Sequence, residues 1–179
     1  MHKKNNFIRY KCLIIALFCA LCSPALAKPE ASCSFSNFWV NAGYGFGSVG
    51  KSLGISASYR NGNNVFSARY IYNEEFATAD TLPCERVWDG GLLYGRTAKT
   101  CFGMASISIG LSVVGGTERI NGANGYEGKN FLTFGIPAEY QLFWTPFSFA
   151  GFGLYGVGNL NPKKPYIGFI FCMQFGQLH

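Results

Sequence analysis

Two stretches of the chain match phosphate-binding patterns. Gly45-Phe46-Gly47-Ser48-Val49-Gly50-Lys51-Ser52 fits GxxxxGK[ST], and Gly151-Phe152-Gly153-Leu154-Tyr155-Gly156 fits GxGxxG. Both work only where a strand feeds a helix whose N-terminus faces the phosphates. Here the first runs into LGISASY, an alternating apolar and small-polar segment, and the second into further glycines with no helical pattern. Both therefore read as glycine-rich strand segments. Acid–base chemistry is equally short of parts: the two histidines, His2 and His179, stand at the extremes of the chain. A Ser-His-Asp or His-Asp constellation cannot be built around them within a domain. The polar candidates that remain are Arg69, Asp89, Glu139 and Gln141. Asp89 and Glu139 have no acidic neighbour in sequence with which to work as a pair. The four are expected to line an interior as a polar network of paired charges, because a buried charge is costly unless partnered. No catalytic residue, cofactor or metal is assigned, and the four cysteines beyond residue 27, Cys33, Cys84, Cys101 and Cys172, form no CxxC.

The start of the chain places these residues outside the cytoplasm. Residues 1–27 read as a secretory signal peptide, with Lys3, Lys4, Arg9 and Lys11 as the basic region, Leu13 to Leu21 as the apolar region, and Ala25-Leu26-Ala27 as the cleavage site. The apolar run is about half the roughly 20 residues a membrane-spanning helix needs. Cleavage leaves 179 − 27 = 152 residues and removes four of 15 basic residues, so 11 Lys/Arg face nine Asp/Glu. A nucleic-acid partner loses its support, because no basic stripe survives. Residues 28–37 form a short periplasmic segment, and 38–179 one domain.

The domain is dominated by period-two alternation. Strong runs cover 52–60 (Leu53, Ile55, Ala57, Tyr59 on one face), 104–113 (Ala105 to Val113), 132–142 (Leu132 to Leu142) and 167–175 (Ile167 to Phe175). Weaker runs cover 38–47, 66–73, 87–97 and 147–157. Eight strands result, with no convincing helix. Links 61–64, 98–99 and 144–146 are tight, and 48–51 is short. Links 74–86, 115–129 and 158–165 are longer and polar or Gly/Pro-rich.

The face opposite the apolar one is mostly Gly, Ser and Thr, with almost no Lys or Glu to solvate an exterior. A soluble lipid-binding barrel would turn its apolar face inwards and a charged face to water. This chain suits the reverse, with lipid outside and small residues in a tight lumen. Two aromatic girdles are expected at the membrane interfaces, Tyr70, Tyr72, Trp88 and Tyr166 at one rim and Tyr59, Tyr94, Trp144 and Phe147 at the other. Strand directions put Cys33, Cys101 and Cys172 towards the periplasmic rim and Cys84 on an outer loop. A bridge from Cys84 would cross roughly 25 Å of apolar band, whereas a disulfide spans about 4.4–6.8 Å between Cα atoms. Any intramolecular bridge is thus expected between two of Cys33, Cys101 and Cys172.

The alternating strands, the signal and the aromatic closing strand YIGFIFCMQF resemble the small eight-stranded outer-membrane proteins of the OmpA-transmembrane and OmpX kind. Uncharacterised outer-membrane β-barrel proteins are similar too. The resemblance implies an all-β, antiparallel up-and-down transmembrane barrel in the outer membrane of a Gram-negative bacterium. Gln177-Leu178-His179 follow the last aromatic, where such families commonly end on one. The implied partners are the lipid bilayer, the barrel-assembly machinery and an undefined extracellular ligand, and a monomer is expected. The expected role is structural or surface-interacting, through loops 74–86 and 115–129. The alternatives are a narrow pore, a lipid-modifying enzyme or a soluble periplasmic barrel.

Overall fold

A computed structural model describes residues 37–76, 83–100, 103–122, 125–147 and 149–176. The signal segment and nearly all of the 28–37 segment lie outside the described residues. Eight strands follow in order: β1 Phe38–Gly47, β2 Lys51–Asn61, β3 Asn64–Glu74, β4 Arg86–Thr100, β5 Gly103–Gly122, β6 Gly125–Trp144, β7 Ala150–Leu160 and β8 Tyr166–Gly176. Each pairs antiparallel with the next, and β8 returns to β1, so the sheet closes on itself and no β1–β8 edge remains. Links 48–50, 75–85, 123–124 and 161–165 lie at one end, called here the loop end. The connections 62–63, 101–102 and 145–149 lie at the turn end, with both termini of the barrel. At Asn61–Asn64 the chain reverses in two residues, and Gly62 takes φ +62°, the left-handed conformation that NGNN supplies.

Pairing around the ring runs Phe38, Tyr59, Phe66, Tyr94, Ile109, Ala138, Gly158, Ile167 and back to Ser48, whose N–H bonds the Ile167 carbonyl. One circuit thus climbs from 38 to 48, ten residues along β1. With strands about 4.8 Å apart and about 3.4 Å per residue, that shear tilts them by about 41°, within the range of closed barrels. The backbone then draws close at the seam: a Cβ on Gly45 would stand 1.9 Å from the Phe169 carbonyl oxygen. Glycine there is a steric requirement.

Alternation sorts the side chains. Leu53, Ile55, Leu92, Ile109, Leu111, Leu142, Phe169, Phe171 and Met173 are exposed on the outer surface, while Ser56, Ser58, Ser67, Ser106, Ser108 and Ser112 are buried inside. The interior is less uniformly small than the sequence suggested. Trp39, Val65, Ile71, Met104, Phe143 and Ile170 also point inwards and pack together. They fill volume that serine and glycine leave empty in an eight-stranded lumen.

One expectation about connectivity is corrected. The segment 115–129 is no loop: β5 and β6 continue as a hairpin of 20-residue strands paired out to Gly122↔Gly125. Its pairing with β4 ends at Arg86↔Thr117 and with β7 at Ile136↔Leu160, so the hairpin stands beyond both neighbours. Above that level neither face has a lipid side to impose alternation, so its strands carry no period-two signal. Strand β7 is likewise shifted to 150–160 from the expected 147–157. The GxxxxGK[ST] match forms the β1–β2 hairpin, and GxGxxG lies within β7, so neither precedes a helix.

Candidate functional site: the lumen and the loop end

Arg69, Asp89, Glu139 and Gln141 are all buried in the lumen, on β3, β4, β6 and β6. Arg69 and Asp89 form an ion pair whose side chains are both 0% exposed, with Nη2–Oδ2 2.9 Å and Nε–Oδ1 3.3 Å. The guanidinium also crosses the barrel, donating to the carbonyls of Ala138 on β6 (3.0 Å) and Gly158 on β7 (2.9 Å). Asp89 accepts two more bonds, from Asn159 Nδ2 (2.7 Å) and the Tyr166 hydroxyl (2.6 Å), and Asn159 reaches Ser112 Oγ at 2.8 Å. Such saturation is what makes a buried pair tolerable.

Glu139 and Gln141 belong to a second cluster, nearer the turn end. Glu139 is held by neutral donors, the Tyr155 hydroxyl at 2.5 Å and Gln141 Nε2 at 3.1 Å. Asn41 Nδ2 donates to Gln141 Oε1 (3.1 Å) and to Ser56 Oγ (3.2 Å). The sequence pairs all three charges only in part, since Glu139 takes part in no ion pair among the described residues.

Tyr166 requires a correction. Expected in a membrane girdle, it is 5% exposed and binds Asp89 from inside the barrel. The outward residues of β8 are odd-numbered, from Ile167 to Phe175, so position 166 faces the lumen. The other seven aromatics lie on the outer wall or the turns. Tyr59, Tyr94, Trp144 and Phe147 are exposed towards the turn end, with Phe66 against Tyr94 at 5.1 Å and Phe147 stacked on Phe149 at 6.2 Å. Towards the loop end, exposed Tyr70 stacks on half-buried Trp88 at 6.3 Å, and Tyr72 pairs with Trp88 across the strands. Parity within 147–157 marks Tyr155 as inward, whereas Asn159 falls in the polar, Gly/Pro-rich segment 158–165, which carries no alternation. Cys84 and Cys172 are free thiols, half-buried and buried. Cys33 and Cys101 lie outside the described residues.

The loop end is tied together by charge. Arg119 of β5 bonds Glu75 Oε2 (2.5 Å) and the Pro83 carbonyl (2.9 Å), while its N–H meets Glu85 Oε1 at 3.3 Å. Lys164, from the β7–β8 link, pairs with the same Glu85. Burial alone would push the Glu85 carboxyl up, but the Lys164 ammonium and the Arg119 amide and charge hold it below the usual 4.5. A carboxylate lowered in the folded state stabilises above its unfolded pKa and loses that contribution as pH falls through its folded value. Protection of the Glu85 and Arg119 amides from hydrogen exchange is therefore expected to hold from neutral pH down to about 4.5 and to fall only below it. Lys164→Gln should move that loosening to higher pH; an unchanged profile would mean the clasp does not hold the link.

Fold and exterior together define the class: this is a small eight-stranded antiparallel barrel of the outer-membrane type. It shares that fold with Neisserial surface protein A at TM-score 0.59 and 16% identity, over 81% of this chain and 99% of that one. The N-terminal β-barrel domain of Pseudomonas aeruginosa OprF aligns at 0.57 and 14% identity, over 79% and 98%. Ail, the attachment invasion locus protein of Yersinia pestis, aligns at 0.57 and 6% identity, over 78% and 98%. No family model matches the chain. No curated protein matches it either.

Proposed function

We propose that the protein resides in the outer membrane of a Gram-negative bacterium as a surface-interaction barrel, with the β5–β6 hairpin and link 75–85 as its presenting elements. The observation that carries this reading is the unpartnered outer edge of β6. From residue 126 to 135 that strand is paired on one side only among the described residues. It also carries Phe134, at 81% the most exposed large apolar side chain among the described residues, and Leu132 at 70%. A strand edge flanked by exposed apolar residues is a template for an added extended segment, where the backbone gives affinity and the side chains give selectivity. Neighbours of this fold include a surface protein and an attachment protein also solved with a heparin analogue, which favours a surface role. Assembly by the barrel-assembly machinery and a monomeric state in the bilayer belong to the same proposal.

The role proposed is binding rather than catalysis or conduction. Asp89 accepts four hydrogen bonds and Glu139 two, and both are closed from solvent, so neither is presented to a substrate. The Arg69 bridge also spans the lumen where a solute would pass.

Two measurements test the reading. On intact cells, a membrane-impermeant amine reagent should label exposed Lys129 and leave Lys99 untouched until the outer membrane is opened; the reverse would invert the orientation. Displayed random peptides panned against the folded barrel should yield extended binders. Proline placed singly at 129 and at 130 should then abolish binding in the variant whose N–H faces the open edge. Binders indifferent to both prolines, or unitary conductance steps in a planar bilayer, would refute the proposal.

A further inference from the structure

The open edge of β6 is charged in a way that complements itself. Its backbone is unpaired on the β7 side from residue 126 to 135, and within that stretch Glu127 and Lys129 stand two positions apart on one face. Both are exposed, and neither takes part in an ion pair among the described residues. On β5, Glu118 lies opposite Lys129 and Ile120 opposite Glu127, so the hairpin sets no cation across from Glu127. Opposite charges at i and i+2 become mutual partners when a second copy of the strand is laid alongside antiparallel. One register achieves this, with its two-fold axis at Gly128: Glu127 of each copy then faces Lys129 of the other.

The rest of the edge fits that register. Tyr126 falls opposite Asn130 and Gly125 opposite Phe131, while Lys129 lies between Glu118 of its own β5 and Glu127 of the second copy. Membrane geometry then decides where the second copy stands. In one bilayer, copies differ by rotation about the membrane normal, and β6 descends towards the membrane in each. With strands tilted by about 41°, two such strands cross at no more than about 82° and cannot run antiparallel. Copies in two apposed membranes have opposed normals, and their β6 strands run in opposite directions. Gly128 lies eight residues beyond Ile136, where pairing with β7 begins. At about 3.4 Å per residue and that tilt, it stands roughly 20 Å further out. The contact is clear of both bilayers.

We propose that the β6 edge pairs antiparallel with the β6 edge of a second copy in an apposed membrane, joining two cells of the same kind. This rests on the surface-interaction reading and names the partner of that edge. The contact is isologous and occupies the edge of both copies, so it closes at two. Each contact is small, with two exposed ion pairs, and it holds membranes together only through many copies acting at once.

The test places the refolded full-length barrel in zwitterionic vesicles, one population carrying a donor lipid dye and the other an acceptor, so that energy transfer reports clustering. Wild-type vesicles should cluster, and less so as sodium chloride is raised, because the ion pairs are exposed. Glu127→Lys sets Lys against Lys and Lys129→Glu sets Glu against Glu. Each should slow clustering about ten-fold or more, since a small loss per contact is multiplied over many contacts. The double variant Glu127→Lys/Lys129→Glu keeps the net charge and reverses both pairs. It should cluster with itself as the wild type does, which also shows that it folds, and fail to join wild-type vesicles. A double variant that joins the wild type as readily as itself would overturn the proposal. Dispersed wild-type vesicles whose barrels still bind the displayed peptides would overturn this proposal alone; dispersed vesicles without peptide binding would overturn the surface-interaction reading with it.

Discussion

Arg69→Met is expected to destabilise the barrel by about 3–5 kcal/mol, the cost of leaving a buried charge without its partner. The side chains of Arg69 and Asp89 are both shielded from solvent, so screening does not soften the loss. The substitution also removes the bonds to the Ala138 and Gly158 carbonyls, which tie β3 to the opposite wall. Asp89→Asn should cost less in the Arg69→Met background than in the wild type, because the carboxylate that suffers from losing Arg69 is then neutral. Urea unfolding of the two single variants and the double variant in lipid vesicles measures the coupling. A loss below about 1 kcal/mol for Arg69→Met would show that water enters and solvates Asp89.

The second large effect is on the outer wall. The ten-residue climb shared over eight strands is 10/8, about 1.25 residues per strand, and that slope places Ile109 midway in height between Trp88 and Trp144. Ile109 is 60% exposed and so faces the bilayer midplane, where arginine costs about 2–4 kcal/mol. Ile109→Arg should reduce stability by that amount. Ser108→Ala, one residue away and inside, should be nearly neutral or slightly favourable, since the Ser108 hydroxyl has no partner to lose. Equal costs at 108 and 109 would mean that the faces are exchanged.

These contrasts reflect how the fold was legible. Where lipid lies on one side and a packed lumen on the other, as from Ile109 to Val113 or Ile167 to Phe175, alternation is imposed residue by residue and the sequence displays it. Beyond the membrane that pressure ends, and GGTERINGANGYEGK looks like a loop although it forms the longest hairpin of the barrel. Tyr166 was misplaced for a different reason. Its aromatic type points to a girdle, whereas position 166 is out of step with the outward odd positions of β8. The inward charges Arg69, Asp89 and Glu139 follow from parity, but their partners do not. Which wall Arg69 reaches depends on the closure of the ring, a long-range property that local pattern cannot carry. Trp39 and Phe143 follow from parity as well, being out of step with the outward Phe38 and Leu142, but what they pack against depends on the closure of the ring.

The open edge of β6 has a consequence away from the membrane. A free strand bearing Phe131, Leu132 and Phe134 is a hazard in the unfolded or partly assembled chain, where copies could stack edge to edge into fibrils. The residues that precede those apolar positions work against this. In a parallel in-register stack every Glu127 would sit on another Glu127 and every Lys129 on another Lys129, about 4.8 Å apart, and like charges so placed repel. Gly128, between them, brings the poorest strand propensity to the same spot. Glu127, Gly128 and Lys129 thus act as gatekeepers: they leave the edge open to a foreign strand while making self-templated aggregation of the chain unfavourable.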